Sequence, residues 1–196
     1  MFILTTISDL VQIPPHAFKD NQITRNDLED RINEKYSNRV IPKVGLCICM
    51  YDLLKASDGL IGNGNGNVNV NVEFRMMVFR PFKGEVITGI VHKCTPKGIY
   101  VTTQFFENIF VPSGMLFEDC QYNEAEKVWV WKTEGEEFFF DPSVIVNVRV
   151  EAEKWPTLIQ KNSSIKDSDE EDETLNTSYS IQAAMDQAGL GGVEWW

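Results

Sequence analysis

Histidine and cysteine are scarce in this sequence, which argues against a metal site and against acid–base catalysis. The chain has only two histidines, His16 and His92, and four cysteines without a C-x-x-C pair. A structural zinc site draws on closely spaced cysteines and histidines, so we expect reduced, buried thiols and no metal. Histidine is also the usual side chain for proton transfer near neutral pH, and no G-x-S-x-G nucleophile motif is present. The sequence therefore predicts a protein without catalytic residues of its own.

A long apolar run and a positive net charge are also missing. No segment approaches the roughly 20 consecutive apolar residues that cross a bilayer, so we expect no membrane partner. The formal net charge is −11, whereas a protein that binds nucleic acid mainly by neutralising phosphates is normally basic. Any contact with RNA should therefore be local and weak, or be made inside a larger assembly.

Much of the acidity lies in one polar stretch, residues 162–177. This stretch has too little apolar surface to offset the conformational entropy that is lost on ordering. We predict that it is a disordered acidic insertion.

The first half of the chain contains clear signals for one helix. Thr24 is a good N-cap residue, and Asp27 follows at the position where a carboxylate favours the positive end of a helix. Leu28, Ile32 and Tyr36 recur every four residues and form one apolar stripe. This pattern predicts an amphipathic helix that packs on a sheet.

Three strands are predicted around this helix, over residues 2–13, 43–54 and 68–80. Alternation of apolar and polar residues is strict in the third strand. The Gly- and Asn-rich segment between the second and third strands, residues 57–67, reads as a flexible hairpin tip. Residues 1–80 thus form a small α+β unit.

The second half has shorter strands with turn residues at close intervals and no strong helix signal. Such spacing is typical of a closed or sandwiched β domain. The predicted strands cover residues 84–93, 98–105, 108–112, 127–132, 136–140 and 144–153.

A glycine-punctuated motif opens this half, G-E-V-x-x-G-x-V followed later by G-I-Y-V, between Gly84 and Val101. Gly89 permits the strong coiling that closes a small barrel, and Gly98 permits the turn back. Tyr100 then projects from the second strand of the motif. It is either a platform on which bases stack or part of the barrel wall.

The motif resembles the RNA-binding OB motif that is repeated in the largest protein of the bacterial small ribosomal subunit. The similarity covers residues 84–153. Two positions depart from that motif: Lys97 replaces one of the two aromatics beside the glycine turn, and Pro112 stands where the third strand has a histidine.

The junction Phe79-Arg80-Pro81-Phe82-Lys83-Gly84-Glu85-Val86 joins the α+β unit directly to this motif. It resembles the junction in the larger stalk subunit of archaeal and eukaryotic RNA polymerases. The acidic insertion and the ending Gly189-Leu190-Gly191 with Trp195-Trp196 are most similar to the RNA polymerase III version.

The resemblance implies an α+β protein with two domains. Residues 1–80 would be a tip domain, an antiparallel sheet plus one helix, that anchors the chain to the polymerase core. Residues 81–196 would be an all-β OB-fold barrel that contacts nascent RNA. The resemblance also implies a heterodimer with the small stalk subunit, no cofactor, a nuclear location, and a role in initiating transcription of transfer RNAs and other short RNAs.

Two sets of candidate site residues follow from these patterns and from the resemblance. The candidates for RNA binding are Tyr100, Lys97, Lys93, His92 and Phe106. Each also has an ordinary interpretation: the three basic residues as solvated charge, the two aromatics as core or barrel wall.

Asp58, Gly59 and Phe74, which flank the hairpin tip, are the candidates for contact with the polymerase core. Two other functions stay open on the sequence alone. One is a free-standing OB-fold RNA-binding factor in translation or RNA decay, and the other is an enzyme such as a nuclease.

Overall fold

Each half of the chain folds around its own β-structure in the computed structural model, which describes residues 1–17, 23–62, 64, 66–133, 135–156 and 178–196. The chain divides into two compact units, Met1–Arg80 and Pro81–Trp196. The acidic segment that was predicted to be disordered, residues 162–177, lies outside the described residues.

The first unit is an antiparallel sheet with strand order β1-β5-β3-β2, together with a short strand β4 that also pairs with β5. Strands β1 and β5 are paired along their whole length, with Phe2 opposite Phe79 and Ile13 opposite Val68. The elements are β1 (Phe2–Ile13), α1 (Arg25–Tyr36), β2 (Val40–Ile41), β3 (Gly45–Ala56), β4 (Leu60–Ile61) and β5 (Val68–Phe79).

Helix α1 begins where the sequence predicts it. The Thr24 backbone N–H donates to the Asp27 carboxylate over 2.7 Å, and the Asp27 N–H donates to the Thr24 hydroxyl over 3.3 Å. This reciprocal capping box satisfies two helix donors that would otherwise lack partners. Leu28 and Ile32 are buried on the sheet, and the Tyr36 hydroxyl donates to the carboxylate of Asp9 on β1.

Five strands of the second unit form a closed barrel. Strands pair in the order β13-β8-β7-β6-β12, and β12 pairs back onto β13, so the sheet closes on itself. The β8–β13 pair is parallel and the others are antiparallel, which is consistent with an OB fold. The barrel strands are β6 (Val86–Thr95), β7 (Gly98–Thr102), β8 (Ile109–Pro112), β12 (Ile145–Lys154) and β13 (Ser180–Ala184).

A three-stranded sheet is inserted between β8 and β12. Its order is β11-β10-β9, from β9 (Cys120–Asn123), β10 (Val128–Thr133) and β11 (Glu136–Phe139). A short final strand, β14 (Gly191–Gly192), pairs with β12. The prediction of one helix and a β-barrel is confirmed among the described residues, whereas the strands β2, β4, β9, β13 and β14 were not predicted; β4 lies in the segment 57–67 that was predicted to be a flexible tip.

Gly98 marks the tightest point of the barrel. Its φ is +152°, and a Cβ atom there would lie 2.1 Å from the carbonyl oxygen of Val111 on β8. Only glycine fits this close approach of two strands. The turn that leads into β7 therefore depends on the residue type that the motif supplies.

Candidate nucleic-acid interface

A row of side chains crosses the outer surface of the barrel on four neighbouring strands. Lys93 on β6 pairs with Tyr100 on β7, and Tyr100 pairs in turn with Phe110 on β8. The rings of Tyr100 and Phe110 lie side by side, with centroids 4.8 Å apart. Gln182 on β13 continues the row, because it is the partner of Phe110 in the parallel pair. We call these four residues the barrel row.

Strand alternation determines which side chains face outward here. Ile99 and Val101, the neighbours of Tyr100, are fully buried, and so are Ile109 and Val111 on either side of Phe110. Successive side chains in a strand point to opposite faces. Tyr100 and Phe110 therefore lie on the outside of the barrel, where both are half-buried.

The basic candidates lie around the hairpin of β6 and β7. His92 and Lys93 are consecutive in sequence, yet both are exposed, because the register shifts between Val91 and Lys93. Such a bulge places two adjacent residues on the outer side. Lys97 is exposed in the turn that precedes Gly98. Their contact with RNA remains a prediction.

Phe106 needs a correction, because the structure places it in the interior. It is 5 % exposed and its ring packs on that of Tyr179 with centroids 5.6 Å apart. A tight loop turns it inward: the Thr103 N–H donates to the Phe106 carbonyl, and the Phe106 N–H donates to the Thr103 hydroxyl. The neighbouring Phe105, at 40 % exposed, is the outward member of the pair.

Sequence reasoning missed Phe110 and Gln182. The alternation Ile109-Phe110-Val111 already indicates that Phe110 faces away from the two aliphatic residues. Its position beside Tyr100 depends on the pairing of β7 with β8, and that of Gln182 depends on an unpredicted strand. The barrel row thus provides two adjacent rings, an ammonium group and an amide, which suit stacked bases and a phosphate.

The candidates in the first unit have different surroundings. Asp58 and Gly59 are exposed in the segment between β3 and β4. Phe74 is fully buried and packs on Tyr36 of helix α1, with ring centroids 5.5 Å apart. It shares the inner face of β5 with Val72 and Met76, so the prediction that Phe74 contacts another protein is wrong for this folded unit.

The described residues contain no group of three or more histidine, cysteine, aspartate or glutamate side chains that could hold a metal ion. All four thiols are unpaired. Burial raises the pKa of Cys47 and of Cys94, and it raises that of Cys120 to about 12. The thiols of Cys47, Cys94 and Cys120 are therefore protonated and poorly nucleophilic at neutral pH. Among the described residues, no helix has the length and apolarity that a membrane span requires.

Comparison with known proteins identifies the family. A family model described as RNA polymerase III subunit Rpc25 matches residues 85–196, which is more than half of the chain. The chain belongs to this family. A second model, the SHS2 domain found in the N terminus of Rpb7p and Rpc25p, matches residues 8–66.

Relatives of this Rpc25-family chain extend over its full length. It is 38 % identical to DNA-directed RNA polymerase III subunit rpc8 of Schizosaccharomyces pombe, with 100 % of both sequences covered. It is 36 % identical to subunit RPC8 of Saccharomyces cerevisiae, again with both sequences fully covered. The identity to subunit RPC8 of Bos taurus is 32 %, over 100 % of this chain and 98 % of the bovine sequence.

Proposed function

We propose that this chain is a non-catalytic stalk subunit of DNA-directed RNA polymerase III. The observation that carries the proposal is its similarity to the fission-yeast RNA polymerase III subunit, which extends from one end of both sequences to the other. An accessory subunit needs no catalytic centre, because it acts through the surfaces that bind its partners. As a subunit of this polymerase, the chain would be located in the nucleus.

The barrel row is the surface that we assign to nascent RNA. A base that stacks on an exposed aromatic ring gains about 1–3 kcal/mol without regard to sequence. Lys93 is exposed next to Tyr100 in the row, and its ammonium group can donate hydrogen bonds to a phosphate oxygen. Such a surface suits a transcript whose sequence differs from one gene to the next.

The acidity of the chain fits a role inside an assembly. With a net charge of −11, the free chain gains little from general attraction to phosphates. A transcript that leaves the same polymerase is present at a high effective concentration, so a weak surface is sufficient. The contact would support initiation on the genes of transfer RNAs and other short RNAs.

The first unit is the part that we assign to protein partners. Four large apolar side chains of β1 are each more than 40 % exposed: Phe2, Ile3, Leu4 and Leu10. Exposed apolar side chains that share one strand are a feature of protein interfaces. We propose that they serve the heterodimer with the small stalk subunit, and that the exposed Asp58 and Gly59 approach the polymerase core.

Affinity purification tests the proposal as a whole. The tagged chain is expressed at its natural level, purified from its own cells at gentle salt, and its companions are identified by mass spectrometry. We expect the small stalk subunit and the core subunits of RNA polymerase III. Recovery of ribosomal subunits or an exosome without any polymerase subunit would instead favour a free-standing RNA-binding factor.

A further inference from the structure

Six aromatic rings meet where the C-terminal residues lie against the inserted sheet. Trp131 on β10 is at the centre: its ring stacks on Phe117 with centroids 4.2 Å apart and lies 5.4 Å from Phe138 on β11. Its centroid is 5.9 Å from that of Trp195 and 6.1 Å from that of Trp196. We call the following residues the aromatic cluster: Phe117, Trp131, Phe138, Phe140, Trp195 and Trp196.

The C-terminal residues are held in a defined position in this cluster. A Cβ atom on Gly192 would lie 2.3 Å from the ring of Trp195, so the indole rests directly on the glycine backbone. The Trp196 indole N–H donates to the Leu190 carbonyl over 2.9 Å. Both tryptophan rings are therefore fixed in orientation before any partner arrives.

Part of this ordered surface remains open to solvent. Trp196 is 58 % exposed and Val193 is 42 % exposed, while Trp131, Phe138 and Trp195 are each partly exposed. Ordered, exposed tryptophans are enriched at the centres of protein interfaces.

Three acidic residues flank members of the cluster along the chain, and we call them the acidic rim. Glu118 follows Phe117, Glu194 precedes Trp195, and Glu136 lies two residues before Phe138, on the same face of β11. All three carboxylates are exposed, and none has an ion-pair partner among the described residues. Lys132, which alternates with Trp131, lies on the opposite face, where it pairs with Glu137. The rim therefore repels phosphate and attracts cations.

We infer that the aromatic cluster and its acidic rim bind an arginine-rich segment of a partner protein. A guanidinium group is planar and weakly hydrated, so it stacks on an indole ring while it donates hydrogen bonds to a nearby carboxylate. The cluster offers both kinds of group within one surface. This binding is separate from the barrel row, whose charge has the sign that suits RNA.

Peptide binding to the full-length chain tests the inference. The probe is a fluorescent peptide of alternating arginine and glycine, and its anisotropy is measured at roughly 0.15 M salt. A peptide of the same length with citrulline in place of arginine keeps the shape of the side chain and removes its charge. The shift of the Trp196 indole N–H resonance on titration shows whether the peptide reaches the cluster.

Two variants and one matched control separate the cluster from general attraction to an acidic protein. Trp196→Ala keeps every charge and should weaken binding by about fivefold to tenfold. The double variant Glu136→Gln, Glu194→Gln keeps every ring and should weaken it severalfold. Trp155→Ala removes another indole, which packs on Tyr179 away from the cluster, and should leave the affinity unchanged. If Trp196→Ala fails to fold by circular dichroism, the double variant decides.

Three results would overturn the inference. Equal affinity of wild type and both cluster variants would mean that the peptide senses only the net charge. Equal affinity of the arginine and citrulline peptides would exclude recognition of a cation. A shift of the Trp196 resonance with a single-stranded RNA, but not with the arginine peptide, would identify the cluster as a second nucleic-acid surface.

Discussion

The ring of Tyr100 is held against the ring of Phe110, with centroids 4.8 Å apart and planes inclined by 42°. The two residues are direct partners in the β7–β8 pair, so the backbone register fixes their proximity. Such a pair presents two ring faces at once, and it also contributes to the stability of the barrel. Any test of RNA binding must therefore separate contact with a base from support of the neighbouring ring.

Replacement of Tyr100 by alanine should weaken RNA retention. In the heterodimer with the small stalk subunit, we expect the affinity for a single-stranded RNA to fall roughly fivefold to fiftyfold, because one stacking contact is lost. Phe110→Ala should have a similar effect. Filter binding or anisotropy with an unstructured RNA measures the change.

A tyrosine of the other unit serves as the matched control for this experiment. Tyr51 is 55 % exposed on β3, and Tyr51→Ala should leave RNA binding unchanged. Thermal unfolding is followed in parallel for each variant. A loss of affinity that simply tracks the fall in melting temperature would identify Tyr100 as a residue of the barrel wall.

Gly98, in the turn between β6 and β7, should not tolerate a side chain. Gly98→Ala places a Cβ atom against the Val111 carbonyl oxygen and strains the backbone. We expect the free energy of unfolding of the second unit to fall by roughly 2–4 kcal/mol. Gly114 has open space where a Cβ atom would be, so Gly114→Ala should be nearly neutral in the same urea titration. Similar values for the two variants would contradict the tight approach of β7 and β8.

Local signals predicted the helix and the three long strands of the first unit, but not its short strands β2 and β4. The cap at Thr24, the stripe that includes Leu28 and Ile32, and the alternation along β5 each act over a few residues, so sequence alone predicts their structure. The same alternation places Phe74 on the face shared by Val72 and Met76. It therefore contained the information that excludes Phe74 from the surface.

Pairing between distant strands explains what sequence reasoning missed in the second unit. Strand β13 has five residues, among them Gln182, Ala183 and Ala184, which have weak strand preferences. Its structure depends on β8 and β12, between which it closes the barrel. The placement of Phe110 beside Tyr100 is equally non-local, and the inward turn of Phe106 depends on a loop hydrogen bond. The motif predicted the barrel, but it could not predict which residues of distant strands lie opposite each other.

The capping box of helix α1 provides a test in the first unit. Thr24→Ala removes the hydroxyl that accepts from the Asp27 N–H, so the unfolding free energy of this unit should fall by about 1 kcal/mol. Thr24→Ser keeps the oxygen and should be close to wild type. Hydrogen exchange of the first-turn amides of α1 is the measurement. Unchanged exchange in the alanine variant would mean that the cap does not stabilise the helix.

The acid stability of the first unit should depend on Asp9. Burial tends to raise the pKa of this carboxyl group, but hydrogen bonds from Lys35 and Tyr36 outweigh it, so the pKa lies below its usual value. A lowered folded-state pKa means that the unfolded chain binds the proton more readily. The contribution of Asp9 is therefore present above the unfolded pKa of about 3.9 and is lost as the pH falls through the folded value. Asp9→Asn should lower the free energy of unfolding at pH 7. It should also reduce the loss of stability between neutral and acid pH, which urea titrations over this pH range measure. Asp58→Asn, at an exposed loop position, should keep the wild-type dependence of stability on pH. An equally steep loss of stability at acid pH in Asp9→Asn would show that other carboxylates cause this loss.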